Sequence, residues 1–348
     1  MIAVILAGGR GLRLWPESRK SRPKQLCKFV GNRSMLDHTI DRLNASGSTR
    51  IAIITNDDLF PLIQEMINNR PDADIIDILS EPEGKNTAPA VGLVLSFYHQ
   101  KYPHETIGIF PADHHVLNVS AFKDSIRRAC LAAKEGHLAT IGIAPKRPET
   151  GYGYIEKTRF EVGEIPDVYH VNSFYEKPDL KTASDYLASG NHMWNSGIYI
   201  GKTSTLMEEF KNHLPALYEK LILGHEEYLN SYTTFPNISL DYGIAEKSKR
   251  IAVVSSDFGW CDLGSWNALA ELYPLDDQQN VCSGEDITAI ESKNCVIKQA
   301  GKSIVTFGLE NIVIVETDDV IFVADGKRCQ DFRSIITKLE NQNREDLL

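Results

Sequence analysis

The sequence predicts an α/β protein: a mostly parallel, doubly wound sheet with flanking helices, then a segment made of short strands. Two patterns carry this reading. As far as residue 145, short apolar runs alternate with amphipathic stretches, which is strand, helix and strand in repetition. After Pro274, β-branched runs recur about every 8 to 9 positions, too close for helices to fit between them. The length agrees, since 348 residues at roughly 150 per domain make about two domains. They are drawn at residues 1–274 and 275–348.

Residues 2–6, 51–55, 75–79, 106–110 and 139–143 read as strands buried on both faces, because their apolar runs do not alternate. A helix starts at Ser34, where Asp37 makes an acidic variant of the capping box. A second runs over 87–99 with Thr87 as N-cap and Pro89 in its first turn. A third covers 121–135. From 150 to 270 the alternation loosens. Strands are expected at 152–157, 168–175, 198–200 and 251–254, and helices at 180–189, 203–212, 216–228 and 264–272. Beyond Pro274, strands at 287–290, 295–298, 303–307, 312–316 and 320–324 fit either a small meander or a few coils of parallel β-helix. The polar end, 338–348, reads as a frayed helix or a disordered tail.

Composition excludes several classes. Hydrophobic residues make up 42% and charged residues 24%, enough to bury a core. The net charge of −10 argues against nucleic-acid and anionic-membrane partners, which need basic surfaces. It leaves room for a small basic pocket. The six cysteines form no C-x-x-C pair, so reduced thiols in a cytoplasmic enzyme are expected rather than a disulfide framework or a zinc ribbon. The N-terminal apolar run is too short for a signal peptide and no stretch is long enough to span a membrane.

The strongest motif is Leu6-Ala7-Gly8-Gly9-Arg10-Gly11-Leu12-Arg13-Leu14-Trp15-Pro16, followed by Pro23-Lys24. It stands where the first strand ends. Glycines there let the backbone approach a ligand and present N–H groups to anionic oxygen. Arg13 and Lys24 add cations that a turn alone does not require. The dinucleotide fingerprint fails, because Leu14 occupies its third glycine position, and Gly197–Thr203 is one residue short of a P-loop.

Further candidates lie at other strand ends, where open α/β sheets bind ligands. Glu81, before Asn86-Thr87, can accept from the N1–H and amino group of guanine together, or be a plain loop carboxylate. Asp113, in Pro111-Ala112-Asp113-His114, fits either a metal ligand or a helix cap. Glu176-Lys177 pairs an acceptor for sugar hydroxyls with a cation for a phosphate. Asn195 can donate to and accept from another hydroxyl. Asp262 precedes the expected helix start at Gly264-Ser265, where its plain reading is an N-cap.

Taken in order, G-G-x-G-x-R-L-x-P…P-K, E-P-x-G-K-N-T-A-P-A, P-A-D-H, G-Y-G-Y-I, E-K-P, N-S-G-I, D-Y and G-W-x-D-x-G-S-W resemble the sugar-1-phosphate nucleotidyltransferases, from residue 1 to about 335. The likeness is greatest to the branch that uses GTP and α-D-mannose 1-phosphate. It implies a Rossmann-like domain followed by a short left-handed parallel β-helix. It also implies a Mg²⁺-dependent reaction giving GDP-mannose and pyrophosphate. On this likeness Arg13, Lys24, Asp113 and Asp262 are catalytic, with Asp113 and Asp262 holding Mg²⁺. Leu6, Ala7, Gly8, Gly9, Gly11, Glu81, Asn86 and Thr87 bind the nucleotide, and Gly151, Glu176, Lys177 and Asn195 the sugar phosphate. Another manno-configured sugar, or a catalytically silent GDP-mannose binder, fits the same motifs. Arg10, Leu12, Gly243 and Ala245 depart from the family pattern. Longer members carry an isomerase domain that the chain stops short of, so a transferase without isomerase activity is expected. The apolar C-terminal strands fit packing on their own domain or on another subunit, and a homodimer is expected.

Overall fold

The computed structural model describes residues 1–9, 11–329 and 331–348, so the departure at Arg10 lies outside the described residues. The chain forms two compact units, each assembled from separated segments. The first comprises residues 1–8, 39–112 and 118–260; the second, 9–38, 113–117 and 261–348.

The first unit carries strands β1 (Ile2–Leu6), β2 (Arg50–Asn56), β3 (Ile76–Glu81), β4 (Thr106–Pro111), β5 (Leu138–Ile143), β6 (Tyr154–Glu161), β7 (Val168–Tyr175), β8 (His192–Lys202) and β9 (Ile251–Ser256). Among the described residues these form one sheet in the order β3-β2-β1-β4-β8-β5-β9-β7-β6. β1 runs parallel to β2 and β4, β2 to β3, and β9 to β5. β8 is antiparallel to β4 and β5, and β7 to β9 and β6. The sheet is therefore mixed: seven strands point one way, and β7 and β8 run against them. From β1 the chain winds outward through β2 to β3, then returns to β4 on the other side. The carboxyl end of β1 is thus a topological switch point, the place where such sheets bind ligands.

Helices α1 (Met35–Ala45), α2 (Phe60–Asn68), α3 (Thr87–Tyr98), α4 (Val119–Lys134), α5 (Leu180–Ser189) and α6 (Thr203–His213) join these strands. α3 is buried over most of its surface, so its sequence is apolar almost all round. The expected helix at 216–228 is two pieces, α7 (Pro215–Leu221) and α8 (His225–Ser231), separated at Gly224 with φ +106°. β8 is much longer than the expected 198–200. Asn195 and Ser196 interrupt its apolar run and hide it, yet both are buried and bonded, Ser196 Oγ donating to the Ile141 carbonyl at 2.8 Å. The cap of α3 is Asn86, not Thr87: its side chain accepts from the Thr87 N–H at 2.9 Å.

The second unit holds β10 (Val281–Ser283), β11 (Ile287–Ile290), β12 (Val296–Lys298), β13 (Ile304–Phe307), β14 (Ile312–Glu316) and β15 (Ile321–Asp325). β10, β12 and β14 pair in parallel, aligning Val281, Val296 and Val313, while β11 pairs in parallel with β13. Each coil takes about 15 to 17 residues, which selects a β-helix over a meander. β15 closes it antiparallel to β14. The expected helix at 264–272 is only a 3₁₀ segment, Trp266–Glu271.

The glycine-rich loop packs with these coils. Leu14, Phe29, Trp266, Val281, Val296 and Val313 share one buried cluster. Trp15 donates from Nε1 to the Leu347 carbonyl at 2.7 Å, and its own carbonyl accepts from Trp266 Nε1 at 3.0 Å. The Arg19 guanidinium grips Asp319 at 2.6 and 2.7 Å. The expected frayed tail is instead ordered: α9 spans Phe332–Asn341, and Leu348 is buried. Contacts with Trp15, distant in sequence, order a segment whose own composition is polar. The six cysteines are free thiols. Among the described residues no helix is long and apolar enough to cross a membrane.

Candidate functional site

In the second unit a cavity of about 410 Å³ is lined by Gly11, Arg13, Lys24, Asp113, Asp262 and Arg333, among others. Four of these are the residues expected to be catalytic, drawn from three separated segments. Lys24 is nearly enclosed. Its Nζ lies 2.7 Å from Asp113 Oδ2 and donates to the Asp262 carbonyl, leaving one of three N–H donors for a ligand. Burial would raise the Asp113 carboxyl, but Lys24, with help from His114, outweighs it and holds the group below its ordinary range. Asp113 is not a cap, since α4 begins at Asn118, whose side chain accepts from the Ala121 N–H at 3.0 Å.

Asp262 is not the cap of the 3₁₀ segment either, because Ser265 holds that place. Its Oδ1 accepts from the Gly264 N–H at 3.0 Å. This tight turn puts Leu263 at φ +48°, a strained conformation for leucine that its place in the buried cluster with Trp266 maintains. Gly11 sits at φ +59°, and a Cβ there would collide with the Lys24 side chain. Gly9 offers its carbonyl to Gln25 Nε2 at 3.0 Å. Leu12 also lines the cavity.

The donor set fits a hard divalent cation. Two carboxylates face one cavity, and no cluster of three or more His, Cys, Asp or Glu residues suited to a metal occurs among the described residues. Such a pair suits an ion that keeps substrate phosphates and water in its shell rather than a protein cage.

In the first unit, β1 ends at Leu6, and Ala7 and Gly8 follow it. The Ala7 N–H donates to the Ile54 carbonyl at 2.7 Å, and the Gly8 carbonyl accepts from Asn56 Nδ2 at 3.3 Å. Glu81 ends β3 and is 6% exposed. Its Oε2 accepts from the buried Tyr232 hydroxyl at 2.6 Å, while its Oε1 lies 2.5 Å from where a Cβ on Gly8 would stand. Burial pushes the Glu81 carboxyl up, and the Tyr232 hydroxyl opposes that. Thr87 Oγ1 accepts from the Leu240 N–H at 2.7 Å, tying the start of α3 to the segment that carries Asp241.

Glu176 and Lys177 pair at 2.9 Å, with Lys177 more than half exposed and Glu176 nearly buried. Burial raises the Glu176 carboxyl, and the charges of Asp241 and Glu246 add to this against the pull of Lys177. Two of the residues expected at the sugar phosphate make bonds within the protein. Asn195 Nδ2 donates to Asp241 Oδ1 at 2.9 Å and Tyr199 Oη at 3.0 Å, and its Oδ1 accepts from Thr140 at 3.0 Å. The Gly151 N–H is occupied by Glu149 Oε1 at 3.0 Å. The acceptor that Asn195 holds in place is Asp241, which Tyr199 also grips at 2.6 Å. Sequence reasoning assigned Asp241 no role, although it heads the D-Y motif. Tyr232 carried no signal beyond an apolar pattern. Gly243 and Ala245 are buried in the same turn, Gly243 against Leu214, so these departures change packing beneath Asp241 rather than a polar group.

The nucleotidyl transferase profile matches residues 2–279, and a β-helix profile described as mannose-phosphate isomerase/GMP-like matches 284–339. Mannose-1-phosphate guanylyltransferases of Klebsiella pneumoniae and Escherichia coli are each 36% identical over 99% of this chain and 75% of their own. A Thermus thermophilus structure, described as a mannose-1-phosphate geranyltransferase, superposes with a TM-score of 0.88 at 32% identity, covering 97% of this chain and 99% of that one.

Proposed function

The chain belongs to the nucleotidyl transferase family, and from that premise we propose that it transfers GMP from GTP to α-D-mannose 1-phosphate, giving GDP-mannose and pyrophosphate. A phosphate oxygen of the sugar phosphate attacks the α-phosphorus. The new P–O bond forms as the bond to the β-phosphate bridge breaks, and pyrophosphate leaves in line. Both substrates are anions, so the protein's task is alignment and charge neutralisation rather than proton transfer.

The observation that carries this reading is the cavity that gathers Arg13, Lys24, Asp113 and Asp262. Arg13 neutralises the triphosphate and the departing pyrophosphate, and the N–H groups of Gly9 and Gly11 approach phosphate oxygen. Lys24 keeps Asp113 ionised and oriented. Family members generally need a divalent metal; we assign Mg²⁺, which Asp113 and Asp262 would hold and which supplies neutralisation of phosphate charge. Glu81 reads the guanine N1–H and amino group, with Asn86 and Thr87 beside the ribose. Lys177 meets the sugar phosphate, and Glu176 accepts from sugar hydroxyls. The boundary between catalytic and β-helix domains is drawn at residues 274/275, and the enzyme is assigned to the cytoplasm.

The test is pyrophosphate release from GTP, ATP, UTP and dTTP, each crossed with mannose, glucose and N-acetylglucosamine 1-phosphates. GTP with mannose 1-phosphate should be the best pair. A different best pair changes the specificity, and no turnover with any pair refutes the activity.

A further inference from the structure

We propose that Arg333, at the start of α9, is a phosphate-binding residue of the nucleotide site, contacting the part of the triphosphate that leaves as pyrophosphate. This rests on the nucleotidyltransferase reading given above. Arg333 lines the cavity with Arg13 and Lys24 although it lies beyond the last coil of the β-helix. It is exposed, and no hydrogen bond or ion pair holds its side chain among the described residues. Its neighbour Asp331 is engaged by Arg328 at 3.1 Å.

The balance of charge in the cavity explains why an arginine stands there. Lys24 is the most buried cation, but its charge is matched by Asp113 at 2.7 Å. Arg13 is exposed and has no ion-pair partner among the described residues. α9 packs against the 3₁₀ turn Leu12–Leu14 that carries Arg13. With Asp113 taken up by Lys24, Asp262 is the one carboxylate among the described lining residues set against two guanidinium groups, an excess of positive charge that an anion offsets. A polyphosphate satisfies both, because each planar guanidinium can present paired N–H donors to phosphate oxygens.

The helix is anchored rather than loose, so the position of Arg333 is set by the fold. The residues after α9 return to Trp15 through the Leu347 carbonyl at 2.7 Å. The terminal helix thereby gives the β-helix segment a part in substrate binding, beyond support of the loop.

The experiment uses the full-length enzyme and measures inorganic pyrophosphate binding by calorimetry, together with KM for GTP, KM for mannose 1-phosphate and Tm. Arg333→Ala should weaken pyrophosphate binding and raise KM for GTP by roughly tenfold, the scale of one lost charge-assisted contact. KM for mannose 1-phosphate and Tm should stay unchanged, and Arg333→Lys should recover part of the loss. Unchanged pyrophosphate affinity in Arg333→Ala, or no pyrophosphate binding by the natural enzyme, overturns the proposal. So does an equal loss for both substrates with a lowered Tm, which marks a structural role. If the natural enzyme binds pyrophosphate but makes no GDP-mannose, the functional reading fails while the calorimetry still decides on Arg333.

Discussion

Removing the hydroxyl of Tyr232 isolates the recognition of guanine from the rest of the reaction. The phenol is fully buried and donates to Glu81 Oε2 at 2.6 Å, and its ring is packed edge-on against Phe235 and Tyr228. Tyr232→Phe keeps that packing and deletes one donor to a nearly buried carboxylate. A hydrogen bond to a charged group is worth about 1.5–3 kcal/mol. If the whole contribution were expressed in binding, GTP affinity would fall by roughly 10- to 100-fold. Water entering beside Glu81 would place the result toward the lower end. ATP offers no paired donors to Glu81, so its KM should hardly change and the GTP-over-ATP preference should shrink.

The pH dependence gives a second readout. Glu81 must be ionised to accept from both guanine donors. Its pKa is raised by burial and pulled back by Tyr232. Guanine preference should therefore fade as pH drops through that raised value, above the range where an ordinary glutamate protonates. Tyr232→Phe removes the opposing pull and moves the loss to higher pH. Steady-state KM values for GTP and ATP between about pH 5 and 8 test this, alongside Glu81→Gln, which removes the paired acceptor. If Glu81→Gln leaves the preference intact, the base is not read by Glu81. If Glu81→Gln abolishes it and Tyr232→Phe changes nothing, Glu81 holds its position without the phenol.

Three further expectations concern the other half of the chemistry and the support of the loop. Asp113→Asn and Asp262→Asn should each cut turnover severely with Tm preserved, and the double variant should lose far less than the product of the two, because both serve one ion; near-normal Mg²⁺-dependent turnover in either variant removes that role. Lys177→Ala should raise KM for mannose 1-phosphate by roughly tenfold or more and leave GTP affinity measured alone unchanged, whereas equal losses would assign Lys177 to the fold. Asp319 is held at about 2 by its hydrogen bonds from Arg19, below the ordinary 3.8, so its contribution is present above 3.8 and disappears as pH falls toward about 2. Because Asp319 is nearly half exposed, Asp319→Asn should cost under about 1 kcal/mol at neutral pH, a difference that thermal melts should see narrow in acid.

What the sequence made legible follows from which interactions are local. Strands buried on both faces announce themselves as apolar runs, so β1, β2, β4 and β5 are readable from composition and spacing alone, whereas β3 is an edge strand, not buried on both faces as expected, with Asp77 and Ile78 partly exposed. β8 is not readable in this way, because Asn195 and Ser196 look like loop residues until the bonds to Asp241, Tyr199 and Ile141 are known. The same holds at the site. Arg13, Lys24, Asp113 and Asp262 stand in motifs whose residue types and order are enough to suggest phosphate chemistry. The partners that orient the candidate groups are of ordinary type and come from distant segments: Tyr232 for Glu81, Asn195 and Tyr199 for Asp241, Asp113 for Lys24. Motif reading weighs a polar side chain against a ligand; only the fold shows which other side chains it also meets. Asn195 is the clearest case, since its amide chemistry suits a sugar hydroxyl and no motif announces its bonds to Asp241, Tyr199 and Thr140. The terminal helix is the opposite case. The polar composition of residues 338–348 suggests a frayed helix or a disordered tail, yet α9 runs on to Asn341 and Leu347 bonds to Trp15, while Arg333 at the start of α9 reaches the cavity that holds Arg13.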